Sequence, residues 1–305
     1  MNKTMRGSAL LLLCAAIWGF AFSAQDLAAE HVGVFTCGAV RSAIATLVLA
    51  LAVLAFDAGT KNGRCLLKRG RTPLTGRELV GGIACGSALA VASALQQAGL
   101  MTSGASKASF ITAMYVVLVP LAGAALLRRR VSPHLWVAVV IALVGLALIT
   151  LGGDLSGAVG DLLLLLCAFC FCGQILLVDL FLPGSDGVRL SMVQFATCTV
   201  LNAALALLFE EVSLASIGAA ILPLLYLGVM SSGCAYTLQI IGQRDCPPTP
   251  AAILMSTESL FGVLGAAVVL GDRLSVREYV GCAVLFAAVI LSQLPLDRKS
   301  SAGKQ

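Results

Sequence analysis

Charge is what this sequence has least of. Asp, Glu, Lys and Arg make up 11% of its 305 residues, against roughly 25% in a soluble domain, so the chain lacks the polar surface to cover a water-facing globule. Histidine is nearly absent too. His31 and His134 are far apart and have no carboxylate at metal-ligand spacing, which argues against a metal centre. No GxxxxGK[ST] loop to cradle nucleotide phosphates occurs, so direct coupling to ATP has no support. With no catalytic constellation and no cofactor motif, the chain does not read as an enzyme. Aromatics are sparse as well, at 6%, so each one inside an apolar run carries more weight.

Long apolar runs fill the space those absences leave. Hydrophobic residues reach 59% and collect into about ten segments of membrane-spanning length. They cover 8–24, 34–56, 79–100, 108–127, 135–151, 161–181, 190–209, 217–241, 251–270 and 279–294. The expected fold is all-α and integral to a membrane, with the lipid bilayer as its surroundings. The first run follows Lys3 and Arg6 and ends near Ala21-Phe22-Ser23, like a secretory signal. It has a counterpart later in the chain, so a retained helix is expected.

The net charge of +5 reports topology and not nucleic acid, because the basic residues sit in short connections. Lys61, Arg64, Lys68, Arg69, Arg71 and Arg77 fall in one connection, and Arg128, Arg129 and Arg130 in another. Both are cytoplasmic if the N-terminus is. Lys107, Arg273 and Arg277 lie on the other side. The positive-inside rule thus places both termini in the cytoplasm of a multi-pass protein of the cell's inner (plasma) membrane, residues 297–305 forming a basic tail. The eleven cysteines lie mostly inside apolar runs, where cysteine packs as a small apolar side chain.

The halves are related. Leu95, Gln96, Gly99, Ala108, Arg130 and Ser132 meet the same residue types 143 positions later, at Leu238, Gln239, Gly242, Ala251, Arg273 and Ser275. Residues 1–152 and 153–296 then form two five-helix repeats. An odd span count turns the second upside down relative to the first, an architecture recurrent in secondary transporters with substrate held near the midplane.

Glu258 sits in "AAILMSTESLFGVLGAAVVL", where a charge costs at least about 2.5–3.5 kcal/mol. Three readings stand open: an ion pair with Arg41, a substrate or proton site, or hydration near an interface. In the repeat register Glu258 falls opposite Tyr115. Ser232, Tyr236, Gln239 and Gln243 follow i, i+4, i+7, i+11 spacing, one stripe of a helix. Gln96 is their repeat mate. Interhelical hydrogen bonding and a cavity lining both suit such a stripe, and together these residues favour the cavity. Trp18, Thr112, Gln174, Gln194 and Asn202 are further candidates. Pro120 is expected to bend the fourth span, and Gly262 to form a close helix contact.

The stretches "AAIWGFAFSAQDLA", "FTCGAVRSAIATLVLA", "FITAMYVVLVPLAGAALLRRRVS" and "ESLFGVLGAAVVLGDRLSVREYVG" resemble those of EamA-type permeases in the drug/metabolite transporter superfamily. The resemblance covers nearly the whole chain, including the Trp-Gly of the first span and the Arg of the second. It implies ten helices and export of a small-molecule substrate, such as an amino acid or a toxic organic compound, by alternating access. With no ATP motif, the energy is expected from a gradient or from exchange, with protons or a counter-substrate as partner, and the case for protons rests on Glu258. The family pattern has a proline soon after the acidic residue of the ninth span; here Ser259 follows Glu258.

Overall fold

A computed structural model describes residues 3–59, 74–126, 128, 131–150, 158–262 and 275–294. The basic tail at 297–305, Arg129, Arg130 and the end of the ninth apolar run lie outside them. Apolar helices that satisfy every backbone hydrogen bond internally are what lipid permits. All regular structure among the described residues is helical: α1 (Lys3–Ala29), α2 (Val34–Gly59), α3 (Gly76–Ser103), α4 (Ala105–Thr112), α5 (Tyr115–Ala125), α6 (Pro133–Thr150), α7 (Ala158–Phe181), α8 (Gly187–Phe209), α9 (Leu214–Ala219), α10 (Ile221–Leu225), a π-helical segment (Tyr226–Ala235), α11 (Tyr236–Gln243), α12 (Pro248–Met255) and α13 (Val276–Gln293).

Among the described residues, seven helical stretches are long and apolar enough to cross a membrane, and Pro133–Leu148 and Tyr279–Gln293 are shorter apolar helices. α1 runs beyond its expected limits of 8–24 at both ends, because hydropathy registers the apolar stretch and not the polar turns that continue the helix. Large apolar side chains such as Leu47, Leu51, Leu207 and Leu208 face outward, as suits a lipid-facing surface.

Packing follows one pattern twice. α3 packs on α7 as α1 packs on the π segment and α11; α3 meets α8 as α2 meets the π segment; α4 and α5 meet α7 as α12 meets α1. The pairs α2–α8, α5–α12 and α6–α13 join counterpart elements. Exchanging the two halves therefore maps each of these contacts onto another of them.

Two carboxylates fasten the halves by capping helices in each other. Glu78, in the first turn of α3, completes a capping box with Thr75, and its other oxygen accepts from the Asp186 backbone N–H at 2.9 Å, at the start of α8. Glu210 accepts from the Phe35 and Thr36 backbone N–H groups, both at 2.8 Å, and from the Thr36 hydroxyl. First-turn N–H groups have no intrahelical partner, so each contact satisfies donors that lipid leaves bare.

The fourth and ninth apolar runs are interrupted helices. α4 stops at Thr112 and α5 restarts at Tyr115; α12 stops at Met255 and helix resumes at Glu258. Tight i→i−3 bonds fill both gaps, from Met114 N to Ile111 O and from Thr257 N to Leu254 O. Pro120, expected to bend the fourth span, lies inside α5, five residues beyond the restart. The second break has no proline, but the Ser256 and Thr257 hydroxyls donate to the Ile253 and Leu254 carbonyls at 2.8 and 2.7 Å, competing with the helix ladder. Ser259 donates to the Ser109 carbonyl of the first interrupted helix at 3.4 Å.

Candidate functional site

The breaks open onto one cavity of about 450 Å³. α1 contributes Trp18, Phe22 and Gln25 from one face at helical spacing, and α2 contributes Arg41. Gln96 comes from α3, Thr112 and Tyr115 from the two sides of the first break, and Phe171 and Gln174 from α7. Ser231 of the π segment, Tyr236 and Gln239 of α11, Met255 and Glu258 close it.

Gly19 sets the position of Trp18. A Cβ at Gly19 would lie 2.5 Å from Phe261 Cβ and 2.7 Å from the Glu258 carbonyl, so only glycine lets α1 approach this closely. The Trp18 indole N–H donates to the Ser231 carbonyl at 3.3 Å, and its ring tilts against Tyr236 with centroids 4.6 Å apart. Phe195 backs Tyr236 edge-on at 5.4 Å.

The two charged residue types of the cavity hold separate partners. Glu258 accepts from the Tyr115 hydroxyl at 3.2 Å, its repeat mate in sequence. Arg41 donates through Nε to the Ser232 hydroxyl at 3.2 Å. No ion pair between them occurs among the described residues: the wide turns of the π segment put Ser232 against α2 while Glu258 faces the opposite interrupted helix. π segments are rare and recur at functional positions. Glu258 is 5% exposed and Arg41 6%, so neither is a hydrated interfacial group in this conformation.

Neutral polar groups line the rest. Gln239 and Gln174 exchange amide hydrogen bonds of 3.0 and 3.5 Å, and Gln174 also donates to Gln194 at 3.2 Å. Gln96 donates to the Thr112 hydroxyl at 3.5 Å. Gln25 is 4% exposed; its backbone carbonyl accepts from Gln97, while its side-chain Oε1 is buried without a partner.

Of the residues singled out in the sequence, Trp18, Arg41, Gln96, Thr112, Tyr115, Gln174, Tyr236, Gln239 and Glu258 all line this cavity. Ser232 borders it through Arg41. Gln243 does not reach it. The stripe on α11 runs along the helix axis, and its last member faces a different pocket beside Asp179, Ser185 and Arg244. Gln194 sits behind Gln174, and Asn202 donates to its own helix at the Cys198 carbonyl. Gln25, Phe22, Phe171, Ser231 and Met255 were missed. The helical spacing of Trp18, Phe22 and Gln25 would have found the α1 face; a π segment leaves no such trace. Among the described residues no group of three His, Cys, Asp and Glu side chains could hold a metal ion.

Three comparisons bear on this arrangement. The chain is 28% identical to an uncharacterized transporter of Archaeoglobus fulgidus over 284 residues, 93% of this chain and 84% of that protein. A protein known from its crystal structure superposes with a TM-score of 0.75 at 19% identity, over 97% of this chain and 99% of the other, which shows a shared fold. The EamA-like transporter family matches residues 5–151 and 158–294. With both halves matched, and with apolar helices enclosing a buried polar cavity, the chain is a multi-pass membrane transporter that belongs to the EamA-like transporter family.

Proposed function

We propose that the chain is a secondary transporter that exports small zwitterionic metabolites, such as amino acids, by alternating access around the cavity. Its ten spans form two inverted repeats, residues 1–152 and 153–296, in the plasma membrane with both termini in the cytoplasm. The observation that carries this reading is that Arg41 and Glu258 face one enclosed space yet do not pair. In lipid, intramembrane charges pair with one another or serve transport. A guanidinium and a carboxyl held apart across a cavity match a substrate bearing both an anion and a cation, the carboxylate at Arg41 and the ammonium at Glu258.

Trp18, Phe22, Phe171 and Tyr236 give the substrate's side chain an apolar wall, and an ammonium near an aromatic face gains further attraction. Glu258 couples transport by exchanging its contact with Tyr115 for a proton or for the substrate ammonium. The aromatic wall also supports a second reading, export of amphipathic organic cations held at Glu258 alone.

Metabolite profiling of a bacterial host overexpressing the wild type or Glu258→Gln, with saturable flux of the identified compound checked in liposomes, tests both. Zwitterions accumulating outside only with the wild type support the first reading. Resistance to organic cations with unchanged amino-acid pools transfers the site to the second. Equal export by both variants removes Glu258 from the mechanism.

A further inference from the structure

We infer that a second binding site for the same zwitterionic class lies at the end of the bundle where α7 turns into α8. The inference rests on the zwitterion reading of the central cavity. The pocket opens to solvent, spans about 790 Å³ including its mouth, and is lined by Asp179, Leu182, Ser185, Gln243 and Arg244, with the turn at Pro183 and Gly184. Gly184 takes a φ of +81°, a backbone conformation open to glycine, which lets the chain reverse and leave the space clear.

The chemistry repeats that of the central cavity. There, one carboxyl (Glu258), one guanidinium (Arg41) and one buried glutamine with an unpartnered Oε1 (Gln25) face a common space. Here, Asp179, Arg244 and Gln243 do. Gln243 is 4% exposed; its Nε2 donates to the Ile175 carbonyl at 3.2 Å, and its Oε1 is buried with no hydrogen-bond partner. A buried acceptor left empty is rare in folded proteins, and an ammonium would fill it. Arg244 is exposed and spends one N–H on the Ser185 carbonyl at 3.0 Å. That bond ties the guanidinium to the pocket lining, and its remaining donors suit a carboxylate.

The two sites are also joined. Ile175, whose carbonyl anchors Gln243, lines the central cavity. One turn along α11, Gln239 pairs with Gln174. Tyr236, Gln239 and Gln243, at i, i+3 and i+7, thus run from one site to the other, and two amide contacts between α7 and α11 separate them. The outer pocket loads substrate, and parting those contacts passes it inward. With both termini cytoplasmic, this end of the bundle faces the cytoplasm, the side from which an exporter takes its substrate.

The test uses the full-length protein in lipid nanodiscs, with ¹⁴C-labelled L-serine, L-leucine and L-phenylalanine each measured alone by equilibrium dialysis. For the amino acid that binds, the wild type is expected to hold two equivalents per chain. Arg244→Ala, Gln243→Leu and Glu258→Gln should each hold one, and Arg244→Lys should regain the second. Gln243→Leu should raise the half-saturating substrate concentration on the loading side by at least about fivefold. The methyl ester and the N-acetyl derivative, which need no mutation, should compete at neither site.

One equivalent in the wild type, lost in Glu258→Gln and kept in Arg244→Ala, overturns the second site and leaves the central one standing. Binding kept in Glu258→Gln but abolished in Arg244→Ala does the reverse. Binding of none of the three amino acids overturns both.

Discussion

Thr112, Ala113, Met114 and Tyr115 stand in the first half where Met255, Ser256, Thr257 and Glu258 stand in the second, 143 positions on, and both quartets interrupt a helix at the same point. No pair of equivalent positions carries the same residue type. One half carries a proline five residues beyond its restart; the other has hydroxyls that take their own helix's carbonyls. An interruption kept at one place by different local means belongs to the architecture, which needs non-helical backbone where it lines a cavity. The residues that restart the helices are then free to diverge. Tyr115 supplies a neutral donor and Glu258 an acceptor, and because they occupy equivalent positions and touch, the relation between the halves runs through their hydrogen bond. Near-symmetric scaffolding around unlike side chains suits a carrier with one substrate.

Four substitutions break or sharpen that comparison. Glu258→Gln keeps the shape of the second restart and removes its ionisable group; transport should fall by about a hundredfold or more at every pH, with membrane insertion unchanged. Normal flux in liposomes at any pH would make the two restarts chemically interchangeable. Gly19→Ala pushes a methyl group into the second interrupted helix and spares the first. Overpacking of this kind costs about 1–3 kcal/mol, read as a lowered Tm in detergent with a parallel loss of transport; an unshifted Tm would mean that α1 can move aside. Tyr115→Phe deletes the hydrogen bond that joins the restarts. A buried hydrogen bond is worth about 0.5–1.5 kcal/mol, so Tm in detergent should fall slightly and the transport rate should drop on the order of tenfold. Pro120→Ala should have the smallest effect, with transport within about twofold and stability within about 1 kcal/mol, since α5 already runs through residue 120. A loss as large as that of Tyr115→Phe would return the first break to the proline.

Much of this geometry is legible in residue order. The 143-residue offset of "Q…G" and "R-x-S", the Trp-Gly of α1 and the isolated Glu258 are local signals, and they placed most of the cavity's polar residues. What escapes are properties of three-dimensional path. An ion pair between Arg41 and Glu258 is a sound expectation from two lone charges, yet the π segment widens the turn at Ser231 and Ser232 and supplies Arg41 with another partner. Gln243 belongs to the right helical face but sits too far along the axis, and periodicity alone carries no depth. Gln25 gives a weak signal, because one amide near the end of an apolar run looks like an interfacial residue until the Trp18, Phe22 and Gln25 face is drawn.

The carboxylate caps exchanged between the halves have a consequence for how the chain is made. While the first half emerges, the first-turn amides of α2 at Phe35 and Thr36 lack the side-chain acceptor that Glu210 brings 174 to 175 residues later. The reverse debt is settled at once, since Glu78 already waits, held by Thr75, when Asp186 is synthesised. Insertion is therefore directional: the first half is left incomplete at one membrane face, and the arrival of the eighth helix's C-terminus closes it. A ribosome halted before residue 210 would hold a half-bundle whose second helix begins with bare donors, the state quality-control proteases and membrane chaperones are placed to meet.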